Sequence, residues 1–201
     1  MKALFEPPVS AATGAGDWLR SARDRLEEAG VESASLDARM LLLDGLGLPH
    51  SVIVAEPNLA LTPEELEKLE AMLTRRLARE PVSRILGWRE FYGRKFKITP
   101  EVLDPRADTE VLVDAALEEI DKRHGPDHAC RFLDIGTGSG AIAVSLLAER
   151  PAWCGVATDI SSGALSVAGE NAAAHKVEDR LELVERALSR PYKGVWPRDT
   201  V

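Results

Sequence analysis

The sequence has little of what would mark several common protein classes. Cysteine is scarce: Cys130 and Cys154 are the only two among 201 residues, and they form no CxxC pair. That argues against a disulfide-stapled secreted scaffold and makes buried free thiols the expectation. Histidine is nearly as scarce. His50, His124, His128 and His175 show no zinc-ligand spacing with either cysteine, and Gly125-Pro126 breaks a helix that would align His124 with His128. No metal site is expected. Aromatic residues make up only 5%, so a core must come mostly from Leu, Val, Ile and Ala, which the 45% apolar share can supply. No apolar run approaches the roughly 18 residues of a membrane span, and the N-terminal "MKALFEPPVS" lacks a signal-peptide h-region. A cytoplasmic chain with no membrane partner is the expectation. Positive charge is short as well: the net charge of −8 argues against a general nucleic-acid binder. Only residues 81–106, with 6 basic and 3 acidic side chains, run the other way; residues 1–80 carry 9 and 14, and residues 107–201 carry 10 and 16. That middle segment reads as an ordinary solvated face or as a local contact for an acidic partner.

What is present divides the chain into three stretches. Residues 1–15 read as a frayed start. Apolar positions at helical spacing predict one helix in "DWLRSARDRLEEAG", ended by Gly30, and a second in "SASLDARMLLLDGLGLP", closed by Gly45, Gly47 and Pro49. "HSVIVAEP" is ambiguous. "TPEELEKLEAMLTRRLARE" has the clearest start: Thr62 as N-cap, Pro63 at the first position and Glu65 completing a capping box, with Leu66, Leu69, Leu73 and Leu77 as its buried stripe. Residues 1–80 are therefore expected to form a small helical domain. In residues 81–106 the aromatics Trp88, Phe91, Tyr92 and Phe96 flank Gly93, which suggests a connecting β-hairpin. Residues 107–201 begin with a helix over about Asp108 to Lys122, its apolar side formed by Leu112, Ala115, Ala116 and Ile120. From Arg131 strand and helix alternate. Strands "RFLDI", "CGVATDI" and "RLELVE" are separated by helices "SGAIAVSLLAER" and "SSGALSVAGENAAAH", a βαβαβ pattern that predicts a parallel sheet.

The loop "DIGTGSG" joins the first of these strands to a helix, where open α/β sheets bind ligands. Its glycines permit sharp turns and close backbone approach. "GTGSGA" also fits the loose dinucleotide pattern, a weak match taken alone. Two carboxylates narrow the choice. Asp134, two residues before Gly136, would repel a pyrophosphate but suits an ammonium group. Asp159, at the end of the second strand and 19 residues after Gly140, can accept hydrogen bonds from both hydroxyls of a ribose. Asp159 fits NAD and S-adenosylmethionine equally; with Asp134 and the alternating glycines the set favours S-adenosylmethionine. An NAD-dependent oxidoreductase is disfavoured by Asp134 and by the lack of a substrate domain.

"DIGTGSGAIA", "ATDIS..AL..A..NA", "EFYGRKF" and "LDPRADTEVLV" together resemble the HemK-type protein-(glutamine-N5) methyltransferases, over about Asp17 to Glu185. The glycine motif is widespread among methyltransferases; the "EFYG" and "PRADTE" segments are more specific to this family. The resemblance implies a Rossmann-like, S-adenosylmethionine-dependent α/β methyltransferase domain, incomplete with three parallel strands, preceded by a small all-α bundle and a β-hairpin. It implies methylation of the glutamine side-chain amide in the Gly-Gly-Gln loop of peptide-chain release factors, recognised by the helical domain. Asp134, Gly136, Thr137, Gly138, Ser139, Gly140 and Asp159 would bind the cofactor. Phe91, Tyr92, Pro105, Arg106 and Thr109 would lie at the substrate cleft, although "PRADTE" reads equally well as a helix start with Asp108 as cap and Glu110 near the positive end of the dipole.

The sequence departs from the family in one respect. It contains no Asn-Pro-Pro-Tyr, the family's catalytic string, so no catalytic residue is assigned. The match ends sharply after Glu185, and the tail from about 186, "ALSRPYKGVWPRDTV" with Trp196, has no strand-length apolar run. The expectation is a chain cut short with an altered tail, as a frameshift or early stop would give, with an uncovered sheet edge that promotes self-association or marginal stability. A catalytically inactive remnant, or a binding module retaining release-factor or cofactor contacts, is the alternative to an active enzyme.

Overall fold

The computed structural model describes residues 14–56 and 58–186, and divides the chain into two compact units after Leu86. Residues 81–106, expected as a connecting stretch, are shared between them. The start of the chain and the tail from residue 187, including Trp196, lie outside the described residues.

The first unit is helical. Helices α1 (Ala15–Glu28), α2 (Ala34–Leu46) and α4 (Pro63–Leu77) bury one stripe each, and two short helices, α3 (Val52–Ala55) and α5 (Val82–Leu86), accompany them. Trp18, Ala22 and Leu26 of α1 meet Ala38, Leu41 and Leu42 of α2 and Leu69 and Leu73 of α4 in one core. α4 starts as its sequence dictates: Glu65 N–H donates to Thr62 Oγ1 at 3.2 Å and Thr62 N–H to Glu65 Oε2 at 2.8 Å. Asp37 is buried and accepts from Arg76 Nε at 2.7 Å and from Ser33 Oγ at 3.0 Å, which satisfies a charge that burial alone would not tolerate. α5 escapes sequence reading because five residues cannot display a period; Val82, Ile85 and Leu86 pack it on this core.

The second unit opens with the hairpin β1 (Trp88–Phe91) and β2 (Arg94–Lys97). Its two-residue turn holds Tyr92 and Gly93 at φ +51° and +68°, the left-handed pair that matches strand twist. A 3₁₀ turn, Ala107–Thr109, leads into α6 (Glu110–His124). Then follow β3 (Arg131–Ile135), α7 (Ala141–Glu149), β4 (Cys154–Asp159), α8 (Ser162–Ala174) and β5 (Leu181–Glu185). The three strands form a parallel sheet in the order β3-β4-β5, with Asp134 opposite Ala157 and Asp159 opposite Glu185. α7 and α8 pack on this sheet, giving the Rossmann-like α/β arrangement. The core joins Phe91 and Phe96 of the hairpin to Val113 and Leu117 of α6, Val144 and Leu147 of α7, Trp153 and Ala157.

Three expectations change. α6 buries Val113 and Leu117, with Ala116 and Ile120 packed beside them, while Leu112 is 54% exposed and Ala115 is exposed. Its buried face is thus one position round from the expected one, because the consecutive apolar residues Val111, Leu112 and Val113 at its start leave the phase open. Asp108 does not cap the helix: a 3₁₀ turn intervenes, and Thr109 stands at the N-cap with no side-chain bond. The free thiols are not both buried; Cys154 is exposed and Cys130 half-buried, linked only by Cys154 N–H donating to the Cys130 carbonyl at 3.0 Å. Among the described residues no helix is long and apolar enough to cross a membrane.

Candidate functional site

The loop between β3 and α7 folds over the C-terminal end of β4. Gly136 and Thr137 N–H both donate to the Thr158 carbonyl, at 2.8 and 2.9 Å, and Gly138 N–H donates to Asp159 Oδ2 at 3.0 Å. Gly140 N–H turns back to the Thr137 carbonyl at 2.9 Å. Gly136, Gly138 and Gly140 take φ of +75°, +55° and +78°, a region that L side chains enter at a cost. Their surroundings differ. A Cβ at Gly136 or Gly138 would meet nothing within 4 Å, whereas one at Gly140 would lie 3.1 Å from Ala168 Cβ. The first two glycines therefore line an open face, and the third lets the loop lie against α8.

The two carboxylates are held by this loop and not merely near it. Asp134 Oδ2 accepts from Thr137 Oγ1 at 2.7 Å. Burial pushes its pKa up, the Thr137 hydroxyl bonded to it and the backbone N–H of Ala143 pull it down, and the charge of Asp159 raises it. Ala143, whose backbone N–H lowers the Asp134 pKa, lies in the first turn of α7, so the positive end of that helix bears on Asp134. Asp159 Oδ1 accepts from Ser161 N–H at 3.0 Å, and Oδ2 carries the bond from Gly138. An ionised carboxylate offers about four acceptor sites, so each oxygen retains capacity for a hydroxyl donor.

This disposition argues against a phosphate cradle on geometric grounds. The backbone donors of Gly136, Thr137, Gly138 and Gly140 are committed within the fold, and the carboxylate of Asp134 precedes the loop that leads into α7. What remains is a half-buried carboxyl of raised pKa beside an open glycine face, a combination suited to a cation. Ile135, the last residue of β3, and Ile160, directly after β4, are 54% and 71% exposed. Sequence reading gave them no role, although each follows a site aspartate directly.

The residues assigned to the substrate cleft are distributed differently. Phe91 is 1% exposed and stacks edge-on against Phe96 at 6.1 Å between centroids, so its ring is a core ring with no face for a substrate. Tyr92 is engaged by α6: its N–H donates to Glu110 Oε1 at 2.9 Å and its hydroxyl to Asp114 Oδ1 at 2.6 Å. That hydroxyl bond, reinforced by burial, raises the Tyr92 pKa to about 12. Glu110 thus anchors the hairpin turn in addition to opening α6. Pro105 and Thr109 are half-buried and Arg106 exposed, with Thr109 N–H closing a turn on the Arg106 carbonyl at 2.9 Å. Leu103 and Val111, on either side of this turn, are exposed apolar residues. The excess positive charge of residues 81–106 is largely used inside the unit: Arg94 pairs with Glu149, Lys97 with Glu170, and Lys95 lies 3.8 Å over the Trp88 ring. Among the described residues no group of three metal-ligating side chains is placed to hold an ion.

Residues 17–87 match the family model of the PrmC N-terminal domain, and residues 109–195 that of the ribosomal protein L11 methyltransferase, PrmA. The release factor glutamine methyltransferase of Cereibacter sphaeroides is 47% identical over 169 residues, covering 84% of this chain and 58% of that protein. Its namesake from Agrobacterium fabrum is 42% identical over 166 residues, covering 83% and 57%. The chain thus spans somewhat more than half the length of these relatives. Among solved structures, the N-terminal domain of human METTL16 in complex with SAH aligns with a TM-score of 0.42 at 19% identity, over 68% of this chain and 50% of that one.

Proposed function

From the premise that this chain belongs to the HemK-type protein-glutamine methyltransferase family, we propose that it binds S-adenosylmethionine in the β3–α7 loop and serves methylation of the glutamine side-chain amide in the Gly-Gly-Gln loop of peptide-chain release factors. The observation that carries the cofactor reading is Asp134: a half-buried carboxyl with raised pKa, next to an open glycine face whose backbone donors are already used. The residues present fit the cofactor. Asp134 pairs with the ammonium of its amino-acid end, and the Cβ-free faces of Gly136 and Gly138 let that end approach the backbone. Thr137 and Ser139 are buried and shape the loop from beneath. Asp159 uses its remaining lone pairs for the ribose hydroxyls, and the exposed side chain of Ile160 offers an apolar face to the base. When bound, the cofactor supplies an electrophilic methyl group; the protein's task is to hold donor and acceptor in line.

The helical unit is the proposed release-factor contact, and the turn Pro105–Thr109, with exposed Arg106, the proposed wall of the substrate cleft. Tyr92 supports that wall from behind through Glu110 and Asp114. A cytoplasmic location accords with such a substrate. The sequence contains no Asn-Pro-Pro-Tyr, and this favours a second reading, in which the chain retains cofactor or release-factor contacts without transferring the methyl group itself. Incubation with labelled S-adenosylmethionine and unmodified release factor separates the two: label in the Gly-Gly-Gln peptide establishes transfer. Cofactor binding by calorimetry without label incorporation establishes the second reading. Absence of any cofactor binding removes both cofactor readings.

A further inference from the structure

Asn171 lies within α8 at 2% exposure, and its amide is fully engaged. Oδ1 accepts from Lys97 N–H at 2.7 Å, while Nδ2 donates to the Lys97 carbonyl at 3.2 Å and to the Ser139 carbonyl at 2.8 Å. A primary amide has two donor hydrogens and one acceptor oxygen, and this geometry uses all three. Lys97 ends the hairpin strand β2; Ser139 sits between the two glycines that close the loop. One side chain therefore pairs with the end of the hairpin as a neighbouring strand would, and grips the candidate cofactor loop with its remaining hydrogen.

We propose that Asn171 is a positioning residue for the cofactor site, setting the position of the β3–α7 loop by tying it to the hairpin. The proposal rests on the S-adenosylmethionine reading of that loop. Both ends of the tie are supported. The hairpin is fixed at its turn by Tyr92 to Glu110 and Asp114, and by Arg94 to Glu149 at 2.6 Å. The loop is pressed from the same helix, one turn earlier, where Ala168 meets Gly140. α8 thus holds the loop by contact at Ala168 and by hydrogen bonding at Asn171. Only an amide serves: a carboxylate of the same shape would face two carbonyl oxygens, and an apolar side chain would leave one N–H and two carbonyls without this partner in a buried place.

The test compares Asn171→Asp with Gly155→Ala in the full chain. Gly155 lies on β4, and a Cβ there would come within 2.5 Å of the Phe132 ring, so this variant is destabilised without a change in the tie. Amide hydrogen exchange should rise at Lys97 and across residues 136–140 in Asn171→Asp, and not across 136–140 in Gly155→Ala. Titration calorimetry with S-adenosylhomocysteine should show affinity roughly tenfold lower for Asn171→Asp than for Gly155→Ala. Unchanged exchange at 136–140 in Asn171→Asp overturns the proposal. So does equal affinity in the two variants. If the unaltered chain binds no S-adenosylhomocysteine while exchange responds as expected, the tie stands and the cofactor reading falls. Should Asn171→Asp fail to fold, the smaller Asn171→Ser, which also breaks the three-way bond, provides the same comparison.

Discussion

At the scale of single residues, Asp134 sets two demands against each other. Its carboxyl has a higher pKa in the folded chain because burial disfavours the charge. An acid shifted upward costs stability when ionised; the cost is present above the raised pKa and disappears as pH falls through it. Asp134→Asn should therefore leave the melting temperature at neutral pH unchanged or higher, while cofactor affinity falls about tenfold or more, the loss of one charge-assisted contact of roughly 1.5–3 kcal/mol. Calorimetry and thermal melting of the same samples check both halves. The affinity of the unaltered chain should also decline as pH drops through the Asp134 pKa. Tyr92 is shifted in the same direction, chiefly by a hydrogen bond to its protonated form. Its pKa rises from 10.0 to about 12, so the protonated, hydrogen-bonded form favours folding. That contribution is complete below about pH 10 and lost toward pH 12. Urea unfolding across this range should show the stability gap between the chain and Tyr92→Phe closing as pH rises. The two aspartates and three glycines of the candidate site stand out in sequence because each sits at a fixed offset from a strand end. Asn171 does not, since its partners Lys97 and Ser139 are distant in the chain and only the packing of α8 brings them together.

At the scale of elements, helices and strands with a strong local signal were legible and those set by packing were not. The Thr62–Glu65 box, the left-handed turn at Gly93 and the βαβαβ alternation are local, and each matches its sequence pattern. The phase of α6 was not local: it is set by the core that α6 shares with the hairpin and α7, which buries Val113 and leaves Leu112 exposed. The basic character of residues 81–106 likewise misleads when read alone, because Glu149 and Glu170 come from later helices. Another long-range element contact closes α7. Arg180 donates to the carbonyls of Leu147, Arg150 and Trp153 at 2.7, 3.0 and 2.9 Å, which brings a cation and hydrogen-bond donors to the negative end of that helix. Arg180→Ala should lower the stability of the second unit by roughly 1.5–3 kcal/mol, measured by chemical denaturation, with the first unit unaffected.

At the scale of the whole molecule, each unit has its own core, and stability should be separable between them. Asp37→Ala removes one partner of a buried ion pair and should cost the helical unit roughly 3–5 kcal/mol. On the proposed division of labour, release-factor binding should fail in that variant while S-adenosylhomocysteine affinity holds; loss of both would show that the units do not act separately. Among the described residues β3 and β5 are the two edges of the three-stranded sheet. An uncovered strand edge is a template for pairing, so light scattering should show mass rising with protein concentration, whereas a constant monomer mass would count against association. The tryptophans provide a way to watch these events individually. Trp18 is 3% exposed in the helical core, its indole N–H donating to Glu70, and Trp153 is 2% exposed in the other, donating to the His128 carbonyl. With Trp88 and Trp196 replaced, and one of the remaining two replaced in turn, the molecule becomes a pair of single-lamp emitters. Fluorescence colour alone would then tell which half has opened to water, without any label.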